Sequence, residues 1–79
     1  SEAPWRLSLD GLGKGLLKLE VFNLRGQNLG SIASRECNSP RLELTWDGRL
    51  NGQRLGSGLY LLRISQGNSL REQRFIIQK

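Results

Sequence analysis

Gly56-Ser57-Gly58-Leu59-Tyr60-Leu61-Leu62-Arg63-Ile64-Ser65-Gln66-Gly67-Asn68-Ser69-Leu70 is the stretch that decides the fold. Tyr60, Leu62 and Ile64 share one parity, and Leu59, Leu61 and Arg63 share the other. A segment apolar on both faces for most of its length reads as a strand in the middle of a sheet. Gly67-Asn68, between Ile64 and Leu70, has the chemistry of a tight hairpin turn. The chain then closes with Arg74-Phe75-Ile76-Ile77-Gln78-Lys79, in which Phe75 and Ile77 are expected to face inward and Arg74 and Ile76 outward.

Upstream the same period of two recurs. Trp5, Leu7 and Leu9 alternate with Arg6 and Ser8; Leu17, Leu19 and Val21 with Lys18 and Glu20; Leu42, Leu44 and Trp46 with Arg41, Glu43 and Thr45. Each run has one apolar and one wet face, as half-buried antiparallel strands require. Turn chemistry separates them: Asp10-Gly11 with Gly13 and Gly15, Arg25-Gly26-Gln27-Asn28, Asp47-Gly48, Asn51-Gly52 and Gly56-Ser57-Gly58. Strands are predicted near 5–9, 16–23, 29–33, 41–46, 59–65 and 70–78, with a short one near 53–55. Six or seven antiparallel strands and no amphipathic helix predict an all-β fold, a small immunoglobulin-like β-sandwich. Residues 1–4 read as a linker remnant and 5–79 as a single domain.

With 79 residues the chain makes one small core, and such a domain buries only about 60–65% of its unfolded surface. The charged fraction of 24% is ordinary for a globular protein. Net charge is +5, from nine arginines and three lysines against seven acids. That balance favours anionic partners, but the cations are spread along the chain with no run of five. Cys37 is the sole cysteine and lies in a stretch, Ser34 to Pro40, that reads as loop; it allows no internal disulfide. With no histidine and scattered acids, neither a metal site nor a cofactor is expected.

Three functional readings of local motifs give way to structural ones. Gly11-Leu12-Gly13-Lys14-Gly15 lacks the spacing and the following helix of a phosphate-binding loop, and reads as a flexible strand connection. Trp5, Trp46 and Tyr60 could make a sugar platform, yet each sits on the apolar parity of its strand, where core packing accounts for it. Five aromatics, mostly assigned to the core, leave no stacking surface for nucleic acid, so no specific nucleic-acid role is expected. Acid–base or nucleophilic catalysis usually recruits His, a tuned carboxylate pair or an activated Cys, so the chain is not expected to be an enzyme.

Val21-Phe22-Asn23-Leu24-Arg25-Gly26-Gln27, then Trp46-Asp47-Gly48, then Gly58-Leu59-Tyr60, then an apolar last segment ending in Lys79, together resemble the C-terminal sorting domains of proteins exported by the type IX secretion system. Those domains are similar in turn to the immunoglobulin-like domain of flagellar hook-capping proteins. Phe22 stands for the family's tyrosine, Asn23 for its aspartate, Gly26 for its glycine and Gln27 for its arginine. Gly58 and Tyr60 match a Pro-x-Gly-x-Tyr-Val-Val motif, in which Gly56 replaces the proline and Leu61 and Leu62 the valines. Of a closing Lys-x-x-x-Lys element, Lys79 is present and Phe75 occupies the first position, with Arg74 as a neighbouring cation.

The resemblance implies a non-catalytic sorting and attachment module of an exported hydrolase or adhesin. Its host protein would pass through the periplasm, meet translocon proteins at the outer membrane, and be released or held at the cell surface. Recognition is then expected at Gly58, Tyr60, Arg74, Phe75, Ile76, Ile77 and Lys79, with Gly26, Trp46, Asp47 and Gly48 structural. Two other readings stand beside it. One is a basic accessory module of a polysaccharide-degrading enzyme, held to anionic polysaccharide or the cell envelope; the other is a structural immunoglobulin-like assembly domain.

Overall fold

The computed structural model describes residues 5–78. Eight strands follow one another: β1 (Trp5–Leu9), β2 (Gly15–Phe22), β3 (Asn28–Cys37), β4 (Leu42–Trp46), β5 (Arg49–Leu50), β6 (Gln53–Arg54), β7 (Gly58–Gln66) and β8 (Ser69–Ile77). All pairings are antiparallel. One sheet has four strands in the order β3-β2-β7-β8, and β1 pairs β4 in a two-stranded ribbon. The ribbon's apolar face and the sheet's inner face share one core, which makes a small all-β sandwich.

The alternation read from the sequence builds that core directly. Leu17, Leu19 and Val21 from β2 are between 0% and 1% exposed, and Leu62 and Ile64 from β7 join them. From the ribbon come Leu9 and Trp46, buried, with Trp5, Leu7, Leu42 and Leu44 packed against them. Cross-strand register sets Trp5 opposite Trp46, Leu7 opposite Leu44 and Leu9 opposite Leu42, so all six apolar side chains lie on one side. As its two-sided apolar pattern requires, β7 lies between β2 and β8.

Three sequence expectations are corrected or completed. The predicted strand near 29–33 extends over Asn28–Cys37. Cys37 is therefore not in a loop: it ends β3 opposite Gly15, is 5% exposed, and its Sγ donates to the Ser39 carbonyl at 3.3 Å. The polar residues of β3 concealed the strand, because an outer strand of the sheet needs few inward apolar side chains. The short strand near 53–55 is half of a hairpin, β5–β6, turned at Asn51-Gly52 with φ of 54° and 81°. Two consecutive positive φ angles are the type I′ turn that Asn-Gly favours.

The third correction concerns Gly11 to Gly15, which is a clamped segment and not a flexible link. Gln66, 9% exposed, accepts from the Gly13 N–H at 2.8 Å and donates to the Gly13 and Gly15 carbonyls at 2.9 and 3.3 Å. Leu12, 8% exposed, enters the core while its N–H reaches the Pro40 carbonyl at 2.9 Å. At the head of this segment the Asp10 carboxylate accepts from Arg41 Nε at 2.8 Å. That hydrogen bond, with the attraction of opposite charges, raises the pKa of the Arg41 guanidinium above its ordinary value.

Candidate functional site

The two segments that carry the resemblance, Gly58-Leu59-Tyr60 and the tail from Arg74, are separated in the chain by strand and turn yet lie side by side. The β7–β8 register sets Gly58 opposite Ile77, Leu59 opposite Ile76, Tyr60 opposite Phe75 and Leu61 opposite Arg74. They form the end of the sheet farthest from the Gly67-Asn68 turn. Its inner face is aromatic. Tyr60 stacks on Phe75 with ring centroids 5.7 Å apart, and Phe75 meets Trp46 edge-on at 6.0 Å. Tyr60 Oη donates to the Gly56 carbonyl at 2.8 Å, tying the Gly-Ser-Gly link down over the ring.

The expected recognition residues divide by face. Ile77 is 2% exposed and belongs to the core; Tyr60 and Phe75 are half-buried on the same side. Arg74 and Ile76 point outward, and Ile76 is 55% exposed. Lys79 lies outside the described residues, as do Ser1 to Pro4. The outer face therefore presents Leu59, Leu61, Arg74 and Ile76 together, beside the buried Phe22 of β2, which pairs with Leu61. Phe22 is 8% exposed although it faces out, because the Arg63 guanidinium lies 4.2 Å from its ring centroid.

The residues read as structural make turn and core contacts. Asp47 Oδ1 accepts from the Arg49 N–H at 3.0 Å, and Trp46 Nε1 donates to the Arg49 carbonyl at 2.9 Å. The Gly48 carbonyl accepts from the Leu55 N–H at 3.0 Å, and a Cβ at Gly48 would lie 3.4 Å from Trp5 Nε1. Gly26 donates to the Asn23 carbonyl at 3.0 Å. Asn23 organises the whole 23–27 turn: its Oδ1 accepts from the N–H groups of Arg25 and Gln27 at 2.9 and 3.0 Å. An aspartate oxygen could make those same two contacts, but not the third, in which Asn23 Nδ2 donates to Gln27 Oε1 at 2.7 Å.

A second feature escaped the sequence. A crevice of about 270 Å³ runs between β1 and the inner face of the sheet, with Trp5, Leu7, Ile32, Leu62, Gln73 and Phe75 among its lining. It exists because a two-stranded ribbon covers a four-stranded sheet. Exposed cations are dispersed around both layers: Arg6 on β1, Arg35 on β3, Arg71 and Arg74 on β8. Among the described residues no group of three His, Cys, Asp or Glu side chains is arranged to hold a metal ion. Comparison with protein-family models, with curated proteins and with solved structures finds no match to this chain.

Proposed function

We propose that the chain is a non-catalytic sorting and attachment module of an exported hydrolase or adhesin. Its partners in this reading are translocon proteins at the outer membrane, and its host ends in the medium or at the cell surface after passing the periplasm. The observation that carries the reading is the β7–β8 register. It joins Gly58-Leu59-Tyr60 to Phe75-Ile76-Ile77 as one surface at the end of an exposed outer strand. Ile77, Phe75 and Tyr60 hold that surface in shape from within, and Arg74, Ile76 and Lys79 make the contacts. An outer strand offers backbone groups for affinity and alternate side chains for specificity.

Glycan binding is less well supported, since it asks for exposed rings. Trp46, Tyr60 and Phe75 pack against one another, and Trp5 packs against the core. The test is export of a fluorescent reporter placed ahead of the 79 residues in a bacterium that has a type IX apparatus. The unaltered fusion is expected outside the cell, and the double variant Arg74→Ala, Ile76→Ser in the periplasm. Both substitutions sit at exposed positions and leave the core intact. Equal export of the two fusions, or periplasmic retention of both, would sink the reading.

A further inference from the structure

The two outer strands of the sheet are built differently. β3 is broken by register shifts at Leu19/Glu20 and Val21/Phe22 of its partner, and a bulged strand is a poor template for further pairing. β8 keeps unbroken register with β7 over nine residue pairs and is exposed from Ser69 to Arg74. It also carries Leu70 and Ile76, 60% and 55% exposed, two of the four large apolar side chains that stand out among the described residues. Among those residues β8 pairs with β7 alone.

Gln66 and Ser69 close a two-residue hairpin, and such a closing pair exchanges both of its backbone hydrogen bonds. Alternation along the ladder then turns the backbone groups of Ser69, Arg71, Gln73, Phe75 and Ile77 toward β7. Those of Leu70, Glu72, Arg74 and Ile76 turn toward the open edge. A second copy of β8 laid antiparallel on that edge, with a two-fold axis through Gln73, matches in every pair. Leu70 meets Ile76 and Glu72 meets Arg74, each pair occurring twice by symmetry. On the other face Arg71, which donates to the Asp10 carbonyl of its own chain, lies opposite Phe75, and Gln73 lies opposite itself.

Within one chain a row of alternating sign already leads to this edge. Glu20 lies opposite Arg63, and Arg63 donates to Glu72 Oε2 from Nε and Nη2 at 3.1 and 3.0 Å. Arg74 of the second copy extends that row by one more charge of the right sign. Sliding the axis to residue 72 sets Glu72 against Glu72, and sliding it to 74 sets Arg74 against Arg74. Like charges directly opposite are unfavourable, so both one-residue slips of the axis are disfavoured.

We propose that the chain associates through β8 with a second copy of itself, joining two four-stranded sheets into one. The inference stands apart from the sorting reading, because its readout is mass in solution and not export. Sedimentation equilibrium of the 79-residue chain, from about 10 µM to about 1 mM as suits a small edge interface, should show the mass rise from 8.9 kDa toward twice that value. Arg74→Glu places acid against acid in both symmetric pairs, and Glu72→Arg places base against base. Each variant should associate about tenfold more weakly than the parent chain.

Mixed one to one, the two variants should recover association as a heterodimer, since both 72–74 pairs between them then have one acid and one base. Far-UV circular dichroism of each variant verifies the fold, and recovery on mixing cannot come from a misfolded partner. A chain that stays at 8.9 kDa throughout overturns the proposal. So does an association that ignores both charge reversals, or a mixture no tighter than its components.

Discussion

Gln66→Leu is the substitution that most directly tests how the two ends of this chain are held together. Leucine keeps the volume and removes three hydrogen bonds to Gly13 and Gly15. At about 1 kcal/mol net for each bond the loss is about 3 kcal/mol. If the segment swings out to rehydrate its backbone, Leu12 leaves the core, and that costs about 2 kcal/mol in place of the stranded polar groups. Either route takes a large share of the roughly 4–12 kcal/mol expected for a domain of this size. Urea unfolding followed by the fluorescence of Trp5 and Trp46 would read it, and the thermal midpoint should drop by about 15 °C. A loss below about 0.5 kcal/mol would refute the clamp, because surface substitutions commonly reach that figure.

Gln66→Glu sharpens the same test through pH. In its ionised form the introduced carboxylate accepts from the Gly13 N–H with one oxygen but turns the other toward the Gly13 and Gly15 carbonyls. In its protonated form the same side chain can donate its single O–H to one of them. The folded state therefore favours the neutral acid and raises its pKa above the ordinary value of about 4.3. The stabilisation is complete below that ordinary value and is lost as pH rises through the folded-state value. Gln66→Leu should show no such recovery in acid relative to the parent chain. A Gln66→Glu profile parallel to that of Gln66→Leu would contradict the geometry.

Two further substitutions probe the packing. Ile77→Ala empties a site that is 2% exposed and should cost about 2–4 kcal/mol in urea unfolding, whether or not the tail is recognised by a partner. Gly30→Ala should cost about 1–3 kcal/mol, because Gly30 has φ of 143° and an added Cβ would lie 3.2 Å from Leu50 Cβ and Asn51 Nδ2. That loss should be accompanied by loosening of the β5–β6 hairpin, visible as faster amide exchange at Leu50 and Gln53.

Most of the strand grammar was legible because burial follows parity, and parity survives in the sequence at Leu17-Leu19-Val21, Leu42-Leu44-Trp46 and Tyr60-Leu62-Ile64. The hairpin at Gly67-Asn68 was legible for a similar local reason. The far half of β3 was not, since Ser34, Arg35 and Glu36 form an outer strand whose side chains are solvated on both faces. Gln66 carried a readable signal that polarity masked: it continues the inward parity of Tyr60, Leu62 and Ile64. The candidate site was legible as residues and, through the parity of Phe75 and Ile77 against Arg74 and Ile76, as a division between faces. Burial agrees with that division, with Ile77 core and its neighbour Ile76 surface, and the register adds which residues meet across the two strands, Tyr60 with Phe75 and Leu61 with Arg74.

The strand order also sets when this chain can fold. Its two longest hairpins, β2–β3 and β7–β8, are local and can form as soon as each turn is closed. The seam between them is not local, since Phe22 must find Leu61, and the β1–β4 ribbon likewise needs Trp5 to find Trp46. Loop-closure entropy is spent before those contacts give any return, which places such a domain among slow folders. On a ribosome, residues 5–57 would have no central partner for β2 until β7 has emerged. The domain therefore stays open until β7 has emerged and closes late, in one step, around the seam that β7 supplies.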